Sequence, residues 1–251
     1  MLGRWSKGRF CLRRMGGVAF VVATLLAGAH AQSPAPLEPP PTPTVFWSQV
    51  DTYVGLTPSL DFMMLASGTP GKDESRPEFV LGPNLDIALL NFIPHLKLSN
   101  PERSKYLTFR VGYRYVKNLY GKETAQNNGV LELTPRLPLP LGFQIGDRNR
   151  IDLQGLPKGF SWRYRNRLML ARSFQVRKFA FTPYGSVEVF YNCQLGEWSQ
   201  YNWRVGVISR ITRKVEVETW FRRTNTIVAP MTTTDVVGVK LILFFHTFGA
   251  H

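Results

Sequence analysis

Cysteine is nearly absent from this chain: 251 residues carry two, and Cys11 lies in a basic N-terminal stretch. A disulfide-stapled scaffold is thereby excluded, because small secreted domains of that kind need several paired cysteines. Histidine is also scarce, and His30, His95, His246 and His251 lack the spacing of a metal site. No glycine-rich phosphate loop is present; the glycines are spread along the chain, where they suit bends and close packing. Beyond residue 31 no apolar run approaches the ~20 residues that a spanning helix needs, which excludes a helical membrane protein. Acidic residues are in deficit, 17 against 31 Lys and Arg, for a formal charge of +14.

Part of that excess belongs to the first 31 residues. Arg4, Lys7, Arg9, Arg13 and Arg14 form a basic region without an acid, residues 16–29 are an apolar run, and Ala29-His30-Ala31 fits the small-x-small cleavage rule. Residues 1–31 therefore read as a cleaved secretory signal. A chain exported in this way rarely meets nucleic acid, so no nucleic-acid partner is expected. Its remaining basic residues suit anions and acidic lipid head groups. Residues 32–44 are proline-rich and read as a periplasmic linker. Residues 45–251 fit one all-β domain.

What the chain does have is alternation. Residues 160–172 read F-S-W-R-Y-R-N-R-L-M-L-A-R. Arg163, Arg165 and Arg167 share one strand face; Trp162, Tyr164, Leu168 and Leu170 share the other, interrupted by Asn166. Residues 105–116 are as regular, with Leu107, Phe109, Val111, Tyr113 and Tyr115 opposite Thr108, Arg110, Gly112 and Arg114. About eleven such segments recur, each of roughly 9–14 residues, the length of strands crossing a bilayer obliquely rather than the ~5–6 of soluble sheets. Asn127-Asn128-Gly129 reads as a turn, and residues 139–145 could hide a further strand.

The fold class that follows is a closed antiparallel transmembrane β-barrel of about twelve strands, with ten as the alternative, because single-chain bacterial barrels favour even counts. With the apolar faces turned to lipid, the lumen receives a charge network of Arg110, Arg114, Arg150, Asp152, Arg163, Arg165, Arg167, Glu188, Arg204, Glu216 and Glu218. Cross-strand neighbours lie ~5 Å apart, so Arg165 or Arg167 can meet Glu188, and Arg204 can meet Glu216 or Glu218. An internal ion-pair lattice is the first reading of that row and an anion path the second.

In the last segment Gly238, Leu241, Leu243 and Phe245 resemble the C-terminal signature read by the outer-membrane barrel-assembly machinery, although Val236 takes the position of its polar residue. Residues 161–245 resemble the bacterial family called domain of unknown function 2490. The resemblance rests on Arg163-Tyr164-Arg165-Asn166-Arg167-Leu168, Thr182-Pro183-Tyr184 with Glu188 and Asn192, Trp203-Arg204-Val205-Gly206, and Lys214-Val215-Glu216-Val217-Glu218. It extends loosely back to Trp47 and implies an outer-membrane barrel without an established activity.

The expected role is a structural barrel or a small-solute or anion pore in the bacterial outer membrane, in contact with outer-membrane lipid and lipopolysaccharide, with no cofactor and no metal. The alternative is a rim enzyme acting on lipid, like a phospholipase or a lipid A deacylase. Such enzymes set a His beside a Ser, and His95, His246 and His251 have no Ser at that spacing. No catalytic residue is therefore assigned.

Overall fold

The computed structural model describes residues 42–69, 78–92, 106–118, 125–156, 159–177, 179–229 and 231–246. The signal-peptide reading of residues 1–31 and nearly all of the linker lie outside them. Within the described residues the chain is all-β apart from short 3-10 turns at Leu89–Phe92 and Pro140–Gly142. The strands run β1 (Thr44–Thr57), β2 (Leu60–Gly68), β3 (Glu78–Ala88), β4 (Leu107–Asn118), β5 (Gln126–Pro138), β6 (Phe143–Leu156), β7 (Gly159–Arg172), β8 (Phe174–Val176), β9 (Phe179–Asn192), β10 (Glu197–Arg210), β11 (Val215–Thr226) and β12 (Thr233–His246).

Each strand pairs with its neighbour in sequence except that β7 pairs with β9 rather than β8, and β12 returns to β1, so the sheet closes on itself. Closure comprises eleven strands. The twelfth, β8, continues the line of β7 past Ser173 and pairs only with the start of β9. Every seam is antiparallel except one: β1 and β12 run parallel, from Thr44 opposite Asp235 to Gly55 opposite His246. This departs from the antiparallel expectation for a geometric reason. Strands that alternate in direction return the last to the first antiparallel only when their number is even. Residues 139–145 form the β5–β6 turn and the start of β6 rather than a strand of their own. Asn127-Asn128-Gly129 is not a turn; it lies inside β5, held between Tyr115, Arg114 and Tyr113 of β4 and Gly155, Gln154 and Leu153 of β6.

The two faces of the wall are inverted relative to a soluble protein. Leu168, Leu170, Val187, Val205 (50% exposed), Val237 and Val239 point outward, while Asp51, Asp86, Glu132, Arg150, Asp152, Glu188 and Glu218 are buried inside. Rings gather on the outer face near both ends. Trp162, Tyr164, Tyr191 and Trp198 contact one another at one, with centroids 5.6–6.3 Å apart. At the other, Phe174 stacks on Phe181, and Arg172 lies over the Phe143 and Phe174 rings.

The interior is not wholly polar. Met63, Leu65 and Val80 form one buried apolar cluster and Ala171, Tyr184, Trp220 and Val236 another. The first explains the weak alternation of β2, whose inward face is itself apolar at Met63 and Leu65. The second depends on glycine. A Cβ on Gly238 would stand 2.1 Å from the Trp220 indole, and one on Gly206 would stand 2.7 Å from the Tyr184 hydroxyl. Bare backbone at these two positions gives the large inward rings room in a narrow barrel.

Candidate functional site

The lumen carries the chemistry, and strand register assembles it. Asp86, Arg110, Glu132 and Arg150 stand opposite one another on β3, β4, β5 and β6, alternating in sign around the wall. Arg110 grips Asp86 through two contacts of 2.6 Å and reaches the Tyr53 hydroxyl at 3.4 Å. Paired, in-plane contacts of this kind are the strongest that arginine makes with a carboxylate. Asp152 takes Arg150, Arg163 at 3.3 Å and Arg165 at 3.6 Å.

Glu188 is the centre of the network. It has no solvent exposure and accepts from Arg148 at 2.7 Å, Arg165 and Arg167 at 2.9 Å, and the Asn202 amide at 3.2 Å. Burying that carboxylate is costly unless positive partners surround it, and three guanidinium groups do. A second group forms around Glu218, which accepts from the Tyr184 hydroxyl and from Lys240, with Arg204 at 3.9 Å. Lys240 also lies 3.8 Å from Asp51, which accepts from Gln49.

Two residues of the sequence network stand apart from these groups. Glu216 pairs with Arg210 at 2.8 Å rather than with Arg204, and Arg210 is largely exposed. Arg114 makes no ion pair among the described residues, and its Nε is buried without a hydrogen-bond partner. Of the four residues in the terminal signature, Leu241, Leu243 and Phe245 share the outward face of β12, and Gly238 faces the Trp220 ring inside. Arg148, Asn202, Lys240, Asp51 and Tyr184 were missed by the sequence reading. The two-residue period was the available signal for Arg148, which has the parity of Arg150 and Asp152. Lys240 and Asp51 meet across the β1–β12 seam, which no local pattern reveals.

A polar cluster also occupies the outer wall. Asn166 donates to Asp147 at 2.6 Å and to Asn149 at 3.1 Å, and the Tyr164 hydroxyl donates to Asn149 at 2.6 Å. Mutual bonding is how Asn166 interrupts an apolar face without leaving its amide bare. Of the histidines weighed for a rim enzyme, His95 and His251 lie outside the described residues, and only the backbone of His246 is described.

At the mouth bounded by the starts of β1, β3, β5, β7 and β10, a cavity of about 450 Å³ opens above the lattice. Its lining holds five arginines (Arg114, Arg150, Arg163, Arg165 and Arg222) against two acids, Glu78 and Asp152. Asn128 also lines it, through the segment that the sequence reading took for a turn.

A family model described as a protein of unknown function, DUF2490, matches residues 100–226, a span that holds β4 to β11. No curated protein matches the chain.

Proposed function

The chain belongs to the DUF2490 family of unknown function, and from that premise we propose that it is an outer-membrane β-barrel whose lumen attracts small anions at one mouth. The inverted wall carries this reading: apolar side chains outside, buried ions inside, and a closed sheet. Lipid demands such an arrangement, because unpaired strand edges and outward charges are costly there. The rings near both ends of the wall fit the aromatic girdles of such barrels at the two membrane interfaces. Lipid and lipopolysaccharide are then the partners of the outer face, and β12 is the segment offered to the barrel-assembly machinery.

The lumen reads as a passage or holding site rather than a catalytic centre, since its central carboxylates, Asp152 and Glu188, are each engaged by three cations. The lattice around Glu188 narrows the middle, so conductance should be small. Two measurements test the proposal. A closed barrel recovered from an outer-membrane fraction migrates faster before boiling than after; no shift sinks the barrel reading. In planar bilayers the purified protein should give small, anion-selective steps. Cation selectivity would refute the anion-attracting lumen.

A further inference from the structure

Among the arginines that line the mouth cavity, two have no carboxylate. Arg114 on β4 and Arg222 on β11 make no ion pair among the described residues, yet each lies within electrostatic range of Arg165. Arg165 has Glu188 and Asp152 as partners, but Arg114 and Arg222 add two further like charges to the same space, a costly arrangement if nothing occupies it. The buried Nε atoms of Arg114, Arg163 and Arg222 also lack any hydrogen-bond partner. Among the described residues other buried Nε atoms share this state, but these three line the cavity and can be reached by an acceptor from it.

Arg114 and Arg222 are held by backbone and by a ring, whereas Arg163 and Arg165 are held by a ring and by the acids Asp152 and Glu188 together. Arg222 lies 5.3 Å from the Trp220 ring, and Arg163 and Arg165 lie 5.5 and 4.7 Å from the Phe190 ring. Stacking of this kind fixes a guanidinium while leaving its in-plane N–H groups free. Arg114 runs over Gly82, where a Cβ would stand 3.1 Å from its Cγ and closer still to the Tyr113 carbonyl. Gln126, Gln154 and Gln200 also line the cavity. Neutral amides give and accept hydrogen bonds without cancelling the charge below them.

We propose that this cavity is a receptor site for a small oxyanion of two or more charges, carried as phosphate or carboxylate on a hydroxylated body. Arg114, Arg222 and Arg163 clasp the oxyanion through N–H groups, and the glutamine amides meet the hydroxyls. The cavity volume suits one such solute. The proposal rests on the anion-attracting lumen described above and adds the ligand class and the residues that select it.

The test is titration calorimetry of the detergent-folded protein with pyrophosphate and, separately, citrate at low ionic strength. One-to-one binding of at least one probe is expected, weakening as salt rises. Binding of pyrophosphate alone assigns the phosphate class, and binding of citrate alone the carboxylate class. Each Arg→Gln change should cost about tenfold, so R114Q/R222Q should lose about a hundredfold. R210Q, at the opposite mouth, should bind as the wild type does. Where the double glutamine variant fails to fold, R114K/R222K keeps the charges but loses the fork, and should bind more weakly than the wild type. No heat with either probe in protein that shifts on boiling overturns the site and leaves the barrel reading standing. Binding that neither double variant weakens overturns it as well. Protein that binds through these arginines yet does not enter lipid vesicles keeps the site and overturns the membrane reading.

Discussion

Replacing Glu188 by glutamine removes one charge from the lumen and almost no volume. Glu188 is fully buried and faces Arg148, Arg165 and Arg167 at 2.7–2.9 Å. At an effective dielectric of ~20, each contact represents on the order of 5 kcal/mol of Coulomb attraction before desolvation is subtracted. Desolvation cancels most of that gross figure, but only while both partners are present. The variant strands three guanidinium groups in mutual repulsion. Arg165 retains Asp152 at 3.6 Å and Arg148 retains Glu132 at 3.9 Å, whereas Glu188 is the one carboxylate paired with Arg167 among the described residues. The expected loss is about 3–5 kcal/mol, the cost of breaking a buried pair from one side. Adding Arg167→Gln should recover at least ~1 kcal/mol by removing the most isolated of the stranded charges. E216Q serves as the comparison: its partner Arg210 is 62% exposed, so the loss there is about 0–1 kcal/mol. Reversible urea unfolding in micelles, followed by tryptophan fluorescence, measures all three. If E188Q unfolds within ~1 kcal/mol of the wild type, the lattice is screened by water and contributes little to stability.

Other substitutions test the wall. Leu241→Arg, on the outer face, should impair assembly into the membrane fraction far more than Ser186→Arg on the lumen face, since a lipid-midplane arginine costs about 2–4 kcal/mol, and Trp162→Arg, in the ring cluster near one end, should fall between them because the cost drops toward the interface. Equal membrane yields for all three would reverse the assignment of the faces. Gly238→Ala drives a methyl group into the Trp220 ring and should lower unfolding stability by about 1–3 kcal/mol. Restoration of stability in a Gly238→Ala, Trp220→Leu double variant would locate the cost in that contact, and no restoration would place it elsewhere.

How much of the lumen was legible depended on whether a residue's surroundings were local. Arg163, Arg165 and Arg167 share a face because side chains alternate in any strand, so the row needed only the segment itself. Trp220 and Gly238 read as unrelated residues, because their contact crosses between two strands and requires the β11–β12 register. Asn128 was misread for a related reason: an Asn-Asn-Gly run favours a turn when isolated, but two flanking strands supply it with a full ladder of backbone partners.

The two-residue period, the strand lengths and the sign of each charge are properties of the chain alone, and they determined an inverted all-β wall with ions inside. Closure is a property of the assembled sheet. It set β1 beside β12 in parallel, gathered three arginines onto Glu188, and brought Lys240 between Glu218 and Asp51. It also left Arg114 and Arg222 facing a cavity without acids of their own. Which arginines are neutralised and which remain open to a ligand depends on distances between strands far apart in sequence, and those exist only once the barrel is closed.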